Sequence, residues 1–182
     1  MRLFFAIPLP MCLKDELAHF QARARQAGVA AYWPDPEGLH LTLAFLGERD
    51  DSSVPRLLDV ALRVTTRHAA FPLKTSQLGG FPKDRAARLL WLGLEEQPAL
   101  PVLVEDLRRG LRGAKMTFDD KPFKAHLTVA RLKPSQDVAR FQETPSPMAF
   151  EVRELQLFQS VPTPSGSWYE SVGSVHLGLG LG

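Results

Sequence analysis

The chain has 182 residues, with 22 Lys and Arg against 20 Asp and Glu, and its formal net charge is +2 at pH 7. Hydrophobic residues make up 45% of the chain and charged residues 23%, so the composition excludes a disordered protein. The near-neutral balance also argues against a protein that coats nucleic acid regardless of sequence. The single cysteine, Cys12, excludes an intramolecular disulfide framework and a cysteine-rich zinc site.

The first predicted element is a short buried strand at residues 3–7, which Pro8 and Pro10 stop. This run is too short and too interrupted for a signal peptide, because Lys14, Asp15 and Glu16 follow closely. No later window approaches the roughly 18 apolar residues that a membrane span needs. We therefore expect a cytoplasmic protein with no membrane partner, and a monomer as the default state.

The rest of the chain predicts helices interleaved with strands. Helices are predicted at residues 11–27, 54–67 and 98–111, with Gly28 after the first and a short helical turn at 138–141. Further strands are predicted at residues 39–46, 71–78, 89–94, 123–132, 151–161 and 168–177, with turns at 79–82 and 162–166 and a frayed end at 178–182. This alternation is typical of the α/β or α+β class.

One tetrapeptide pattern occurs twice. The segment at 40–43 reads His-Leu-Thr-Leu, and the segment at 126–129, about half a chain later, reads His-Leu-Thr-Val. Residues i and i+2 of a strand share a face, so each histidine shares one with its threonine, opposite two aliphatic side chains. Burying a histidine and a threonine without hydrogen-bond partners costs free energy, and this chain would meet that cost twice. We therefore predict that both His/Thr pairs face a cleft.

Two histidines and two threonines suit in-line phosphoryl transfer without a metal. Histidine titrates near neutrality, so one imidazole can take a proton from water while the other protonates the leaving alkoxide. A threonine hydroxyl can donate to a phosphate oxygen or orient a neighbouring imidazole. With no cysteine cluster and no His-Glu-x-x-His helix, a zinc ligand set is incomplete, so we expect neither a metal nor another cofactor.

These motifs resemble those of the 2H phosphoesterases, which are named for two His-x-Thr/Ser-x motifs that end in a hydrophobic residue. The sequence is most similar to the bacterial and archaeal RNA 2′,3′-cyclic phosphodiesterases, also called 2′-5′ RNA ligases. The similarity covers nearly the whole chain, at residues 2–7, 33, 39–48, 80–82, 90–93, 122–131 and 154–160. Ala125 is a departure, because the family often has proline before the second histidine.

The resemblance implies a single bilobal unit over residues 1–182. Two pseudo-symmetric lobes would each contribute one motif, at 40–43 and at 126–129, to a central cleft between antiparallel sheets, with the helices outside. It implies hydrolysis of RNA 2′,3′-cyclic phosphate ends, on a tRNA-half-like or other oligonucleotide, to a 2′-phosphate. Run in reverse, the same site would make a 2′-5′ bond. By this resemblance His40 is the proton donor and His126 the proton acceptor, and the near-identical motifs do not themselves distinguish the two.

Basic residues near the second motif are predicted to hold RNA phosphates. They are Lys121, Lys124, Arg131 and Lys133, with Asp119 and Asp120 just upstream. Arg131 matches a family arginine and would grip a phosphate at two points. It lies an odd number of residues from His126, so a bulge or the strand end must aim it into the cleft.

The remaining candidates carry weaker signals. Phe123 and Trp33 are candidates for stacking on a terminal base, with core packing as the alternative. Ser160 is placed near the cleft by the resemblance alone. The other three histidines, His19, His68 and His176, are interpreted as structural or solvated.

Two other functions stay open. The same site could serve a small cyclic nucleotide, an ADP-ribose cyclic phosphate or a 2′-5′ oligoadenylate. A non-catalytic module could instead use these residues only to hold an RNA end. Turnover of a mononucleotide against an oligomer separates the enzymes, and tight binding without product would identify the module.

Overall fold

The computed structural model describes residues 1–178, so the last four residues of the predicted frayed end lie outside the described part. The three α-helices are α1 (Met11–Gln26), α2 (Val54–Thr65) and α3 (Ala99–Gly113). The strands are β1 (Arg2–Pro8), β2 (Ala31–Tyr32), β3 (His40–Glu48), β4 (Phe71–Phe81), β5 (Ala87–Leu94), β6 (His126–Gln136), β7 (Ala149–Val152), β8 (Glu154–Thr163) and β9 (Gly166–His176). Short 3₁₀ turns occur at Pro36–Gly38, Asp51–Ser53, Asp84–Ala86 and Val138–Arg140.

The strands form two antiparallel sheets. The first sheet has the order β3-β1-β8-β9, and the second has the order β2-β6-β5-β4-β7. The mixed α/β class is therefore confirmed, with pairing that is antiparallel in both sheets. Strand β3 of the first sheet contacts β6 of the second, so the two motif strands adjoin.

A continuous apolar core extends through both sheets and the helices. Alternate residues of β1, namely Leu3, Phe5 and Ile7, belong to it, as does a helical stripe on α1 that includes Leu13 and Leu17. Gly28 follows α1 with a positive φ of 83°, the left-handed conformation expected just past a helix end. Within residues 1–178 no helix is both long and apolar enough to cross a membrane.

Several predicted boundaries are wrong, among them those of the strand at 123–132, which begins at His126 and continues to Gln136. The residues at 79–82 do not form a turn, because β4 continues to Phe81. A Cβ at Gly79 would lie 2.1 Å from the Trp91 ring, so this glycine serves a close approach between strands and not a change of direction. The predicted strand at 151–161 is two strands, because β7 pairs with β4 while β8 pairs with β1 and β9. The chain therefore passes from the second sheet to the first at Arg153.

Candidate active site

Each motif strand contains a β-bulge at the same distance from its histidine. On β3, Thr42 and Ala44 pair with consecutive residues of β1, so Leu43 is the extra residue. On β6, Thr128 and Ala130 pair with consecutive residues of β5, which leaves Val129 extra. A bulge shifts the side-chain phase of a strand by one position. The repeat in the sequence is thus also a repeat in backbone geometry.

The second bulge resolves the phase of Arg131. Beyond Val129 the buried face of β6 carries Ala130 and Leu132, and Arg131 therefore shares the exposed face with His126 and Thr128. Arg131 therefore lines the cleft. The bulge compensates for its odd spacing from His126. The corresponding residue of β3, five positions after His40, is Phe45, whose exposure is 48%. The two motifs thus present a cation on one side of the cleft and an aromatic ring on the other.

Both motif histidines are held by the same backbone contact. The Nδ1–H of His40 donates to the carbonyl of Gly38 at 2.7 Å, and that of His126 donates to the carbonyl of Lys124 at 2.6 Å. A ring nitrogen that donates to a carbonyl fixes the neutral tautomer, which leaves Nε2 as the free nitrogen. Each ring can therefore take up or release a proton at Nε2.

His40 lies in an aromatic shell. Its ring centroid is 4.7 Å from that of Phe4, 5.8 Å from Phe158 and 4.9 Å from Tyr169, which meets it edge-on. Phe4 is only 2% exposed but does not belong to the main core, because it packs on the opposite face of β1 under His40. Burial in this shell lowers the pKa of His40, and the hydrogen bond to Gly38 partly offsets that effect.

His126 has a different environment. Its side chain is exposed, and Lys124 and Arg131 lie beside it on the same strand or just before it. Arg108 of α3, which is 9% exposed, donates to the carbonyl of Lys121 at 2.9 Å and so holds the segment that leads into β6. The backbone N–H of Asp119 donates to the carbonyl of Phe45 at 2.9 Å, which ties this segment to β3.

The two motifs line one cleft of about 710 Å³. The predicted residues that line it are His40, Thr42, Lys121, Phe123, Lys124, His126, Thr128 and Arg131, whereas Lys133 lies outside the lining. Trp33 is not in this lining: its ring meets Phe20 edge-on at 6.0 Å, and Arg25 covers it. Ser160 is outside the lining as well, on β8 between its pairing partners on β1 and β9. The structure therefore brings the motif residues together with Lys121, Lys124 and Arg131, and it does not bring Lys133, Trp33 or Ser160 to them.

Several residues of the cleft belong to no motif and are not predicted from the sequence. Tyr32 of β2 donates its hydroxyl to the carbonyl of Ser165 at 3.1 Å, which joins the second sheet to the β8–β9 turn of the first. Tyr32, Phe45, Arg108 and Tyr169 line the cleft. The one available signal is the run Leu3-Phe4-Phe5, where large apolar residues on both faces of β1 indicate that each face is covered.

The other polar groups form ordinary contacts. Nε2 of His68 lies 2.8 Å from a carboxylate oxygen of Asp106, so this histidine packs between α2 and α3. Among residues 1–178 no three His, Cys, Asp or Glu side chains are grouped so as to hold a metal ion.

The lowered pKa of His40 is directly measurable. We expect its ring to titrate below the ordinary value of 6.5, because the aromatic shell disfavours the imidazolium. An NMR titration of the ring C–H resonances measures the midpoint, and His40→Asn assigns the signal. Phe158→Leu opens one side of the shell and is expected to move the midpoint upward. A midpoint at or above 6.5 in the unliganded protein would contradict this account of the site.

Comparison with known proteins agrees with this geometry. The family model described as LigT-like phosphoesterase matches residues 7–91 and again residues 92–169, one match for each motif. An RNA 2′,3′-cyclic phosphodiesterase of Archaeoglobus fulgidus is 33% identical over 178 residues, which cover 94% of this chain and 98% of the relative. One of Escherichia coli is 30% identical over 167 residues, covering 87% of this chain and 86% of the relative.

Solved structures show the same fold. The crystal structure of Escherichia coli LigT in complex with 3′-AMP has a TM-score of 0.81 and 26% identity, and the match covers 97% of each chain. The resemblance that the motifs indicated is therefore confirmed by matches that extend over nearly the whole chain. This chain belongs to the LigT-like phosphoesterase family.

Proposed function

We propose that this phosphodiesterase hydrolyses the 2′,3′-cyclic phosphate end of RNA to a 2′-phosphomonoester by two-histidine acid–base catalysis. The observation that carries the proposal is the pair of matched imidazoles in one cleft, each with Nδ1 on a carbonyl two residues upstream and Nε2 free. The names of the relatives from Archaeoglobus fulgidus and Escherichia coli support RNA as the substrate class.

The reaction has one bond made and one broken. Nε2 of His126 takes a proton from water, whose oxygen attacks phosphorus. The bond from phosphorus to O3′ breaks, and His40 gives its Nε2 proton to O3′. The products are a 2′-phosphate and a free 3′-hydroxyl, and both histidines return to their starting states after one proton exchange with solvent. With an RNA 5′-hydroxyl in place of water the same step makes a 2′-5′ bond, and the excess of water favours hydrolysis.

Because the pKa of His40 is lowered in the free protein, we infer that the bound substrate helps to protonate this histidine. A proton donor must be protonated, yet burial lowers the pKa of His40, so the free ring is less than half charged at a pH where an ordinary histidine is half charged. A cyclic phosphodiester carries one negative charge, and an adjacent anion stabilises the imidazolium. Substrate binding therefore raises the pKa of His40 and lets it carry the proton that O3′ receives.

Thr42, Thr128, Arg131 and Lys124 are the proposed phosphate contacts. The two hydroxyls can donate to the non-bridging oxygens, and the guanidinium can stabilise charge that develops on them. Phe123 borders the same space and is half-buried, packed on the core. One apolar core contains residues of both sheets, which supports the proposal of a single bilobal unit with one motif in each lobe.

Arg131 offers a test of the phosphate contact. Arg131→Ala is expected to lower kcat/KM about 10- to 100-fold, because charge-assisted hydrogen bonds to the phosphate are lost. Arg131→Lys keeps the positive charge but loses the two-point hydrogen bonding of the guanidinium, so it should recover only part of the loss. Lys133→Ala is the matched control, since Lys133 is an exposed cation two residues further along β6 that does not line the cleft. Equal losses of kcat/KM at the two positions would show that Arg131 contributes only to the overall positive potential and does not contact the phosphate.

The decisive experiment follows the product. RNA ending in a 2′,3′-cyclic phosphate is incubated with the protein and excess chelator, and ³¹P NMR distinguishes a 2′-phosphate from a 3′-phosphate. We expect the 2′-phosphate at an undiminished rate with chelator. A 3′-phosphate, or loss of activity with chelator, would contradict the proposal, and tight binding without product would favour the non-catalytic module. Cyclic mononucleotides, ADP-ribose cyclic phosphate and 2′-5′ oligoadenylates, assayed in parallel, test the alternative substrates.

The proposed cellular setting is RNA processing in the cytoplasm by a monomer that acts on fragments such as tRNA halves. One complete cleft is built from this chain alone, which supports the monomer. Light scattering on the purified protein measures its mass directly, and a stable dimer would contradict this part of the proposal.

A further inference from the structure

The exposed face of the second sheet continues beyond the catalytic strand. Residues directly opposite each other in antiparallel strands share a face. On β5, Trp91 pairs with Thr128 and Leu89 pairs with Arg131. On β4, Phe81 in turn pairs with Leu89. A row of side chains therefore runs from Arg131 through Leu89 to Phe81, away from the cleft and on the same face of the sheet.

Two aromatic rings lie on this face. The Trp91 ring packs directly on the backbone of β4 at Gly79. A Cβ at this position would lie 2.1 Å from the ring, so any residue other than glycine would prevent this contact. Phe81 is 58% exposed, the largest exposed fraction of any phenylalanine described. An aromatic ring that stays in water two strands away from the catalytic strand, on the same face of the sheet, is a candidate partner for a flat apolar group.

Three exposed cations follow the exposed ring closely in the chain. Lys83 and Arg85 lie in the turn after Phe81, and Arg88 lies at the start of β5, all with exposed side chains. Asp84 is the one acid in this turn, and its carboxylate accepts the backbone N–H of Gly80 at 2.8 Å. Within residues 1–178 no carboxylate forms an ion pair with any of these three cations. Their charge is therefore available to an anionic partner.

We propose that Phe81, Leu89 and Trp91, together with Lys83, Arg85 and Arg88, form a platform for the nucleotides on the 5′ side of the RNA end that is hydrolysed. This inference rests on the proposed function. An exposed phenylalanine and a half-buried tryptophan near unpaired cations suit single-stranded nucleic acid, since bases stack on aromatic rings while the cations follow the phosphates. The platform is continuous with Arg131, so a chain whose terminal phosphate lies between the motifs can pass along it without a gap.

The platform makes this enzyme selective for RNA chains over mononucleotides. Phe81 does not line the cleft, so a terminal nucleotide held between the motifs does not depend on it. A longer chain gains a stack on the platform and additional phosphate contacts. The platform thus separates an RNA-end hydrolase from an enzyme for small cyclic nucleotides, which has no use for a stacking surface outside its cleft.

The test compares two substrates, a single-stranded RNA hexamer that ends in a 2′,3′-cyclic phosphate and the mononucleotide 2′,3′-cyclic AMP. Phe81→Ala is expected to lower kcat/KM for the hexamer roughly 10-fold and to leave that for the mononucleotide unchanged, because one base stack is lost. Phe81→Tyr keeps the ring and should retain most activity. Val102→Ala is the matched control, since Val102 is 54% exposed on α3, away from this face.

The cations have their own readout. Replacing Arg85 and Arg88 with Gln should reduce the dependence of hexamer kcat/KM on salt concentration, since fewer counterions are released, with no change for the mononucleotide. Equal turnover of hexamer and mononucleotide by the wild-type protein, or equal losses for both in Phe81→Ala, would overturn the platform while leaving the proposed function intact. Failure to hydrolyse either substrate would instead overturn the proposed function.

Discussion

Alanine at His40 or at His126 is expected to abolish nearly all hydrolysis of cyclic phosphate ends. Each histidine handles one proton, and a positioned proton transfer is worth about 10²–10⁴-fold in rate. Both rings line the same cleft with a free Nε2, so neither can be replaced by a neighbour. We expect kcat to fall by this factor in each single variant while the protein stays folded.

The measurement is single-turnover hydrolysis of RNA with a 2′,3′-cyclic phosphate end, with circular dichroism to confirm folding. His19→Ala is the matched control, because His19 is an exposed histidine on α1 outside the cleft. We expect a double variant to be little slower than either single one, since two groups that serve one step are not additive. Full activity in either single variant would contradict the two-histidine mechanism.

A substrate with a good leaving group is expected to separate the two histidines. In a 3′-deoxynucleoside 2′-(4-nitrophenyl phosphate) the aryl group takes the position of O3′, and 4-nitrophenolate leaves without a proton. His40→Ala should then act within about 10-fold of the wild type, because the lost donor is no longer needed. His126→Ala should stay impaired by about 10²–10⁴-fold, because water still has to lose a proton.

Release of 4-nitrophenolate, followed by absorbance, gives both rates on one substrate. The opposite pattern, with His126→Ala restored and His40→Ala impaired, would exchange the roles of donor and acceptor while leaving two-histidine catalysis in place. Equal impairment of both variants would show that neither ring serves mainly the leaving group. The lowered pKa of His40 makes this result informative, since burial favours the neutral ring, and a neutral ring is also suited to accept a proton.

Residue spacing is enough to predict the site residues that lie within a short stretch of strand. His40 and Thr42, and likewise His126 and Thr128, share a face because side chains alternate along any strand, whatever surrounds it. Helices α1 and α3 were predictable for a similar reason, since a buried stripe such as Leu13 and Leu17 repeats with the helical period. The repeated motif also indicated a resemblance that the family comparison confirms.

The tertiary structure alone decided which partners meet those residues. Arg131 reaches the cleft because Val129 is extra in the pairing of β6 with β5, and that register depends on the partner strand. Gly79 shows the same limit. Its local sequence predicts a turn, but the ring of Trp91, on another strand, packs against it. Pairing between distant segments is not encoded in the local pattern of either one.

The difference between the two histidines is the clearest case. Their local sequences and backbone contacts match, yet Phe4, Phe158 and Tyr169 enclose only His40. Those three rings come from β1, β8 and β9, which lie together only after the first sheet has formed. The pKa of His40 is lowered by desolvation in this shell, and the side chains that cause it are remote from the motif in sequence.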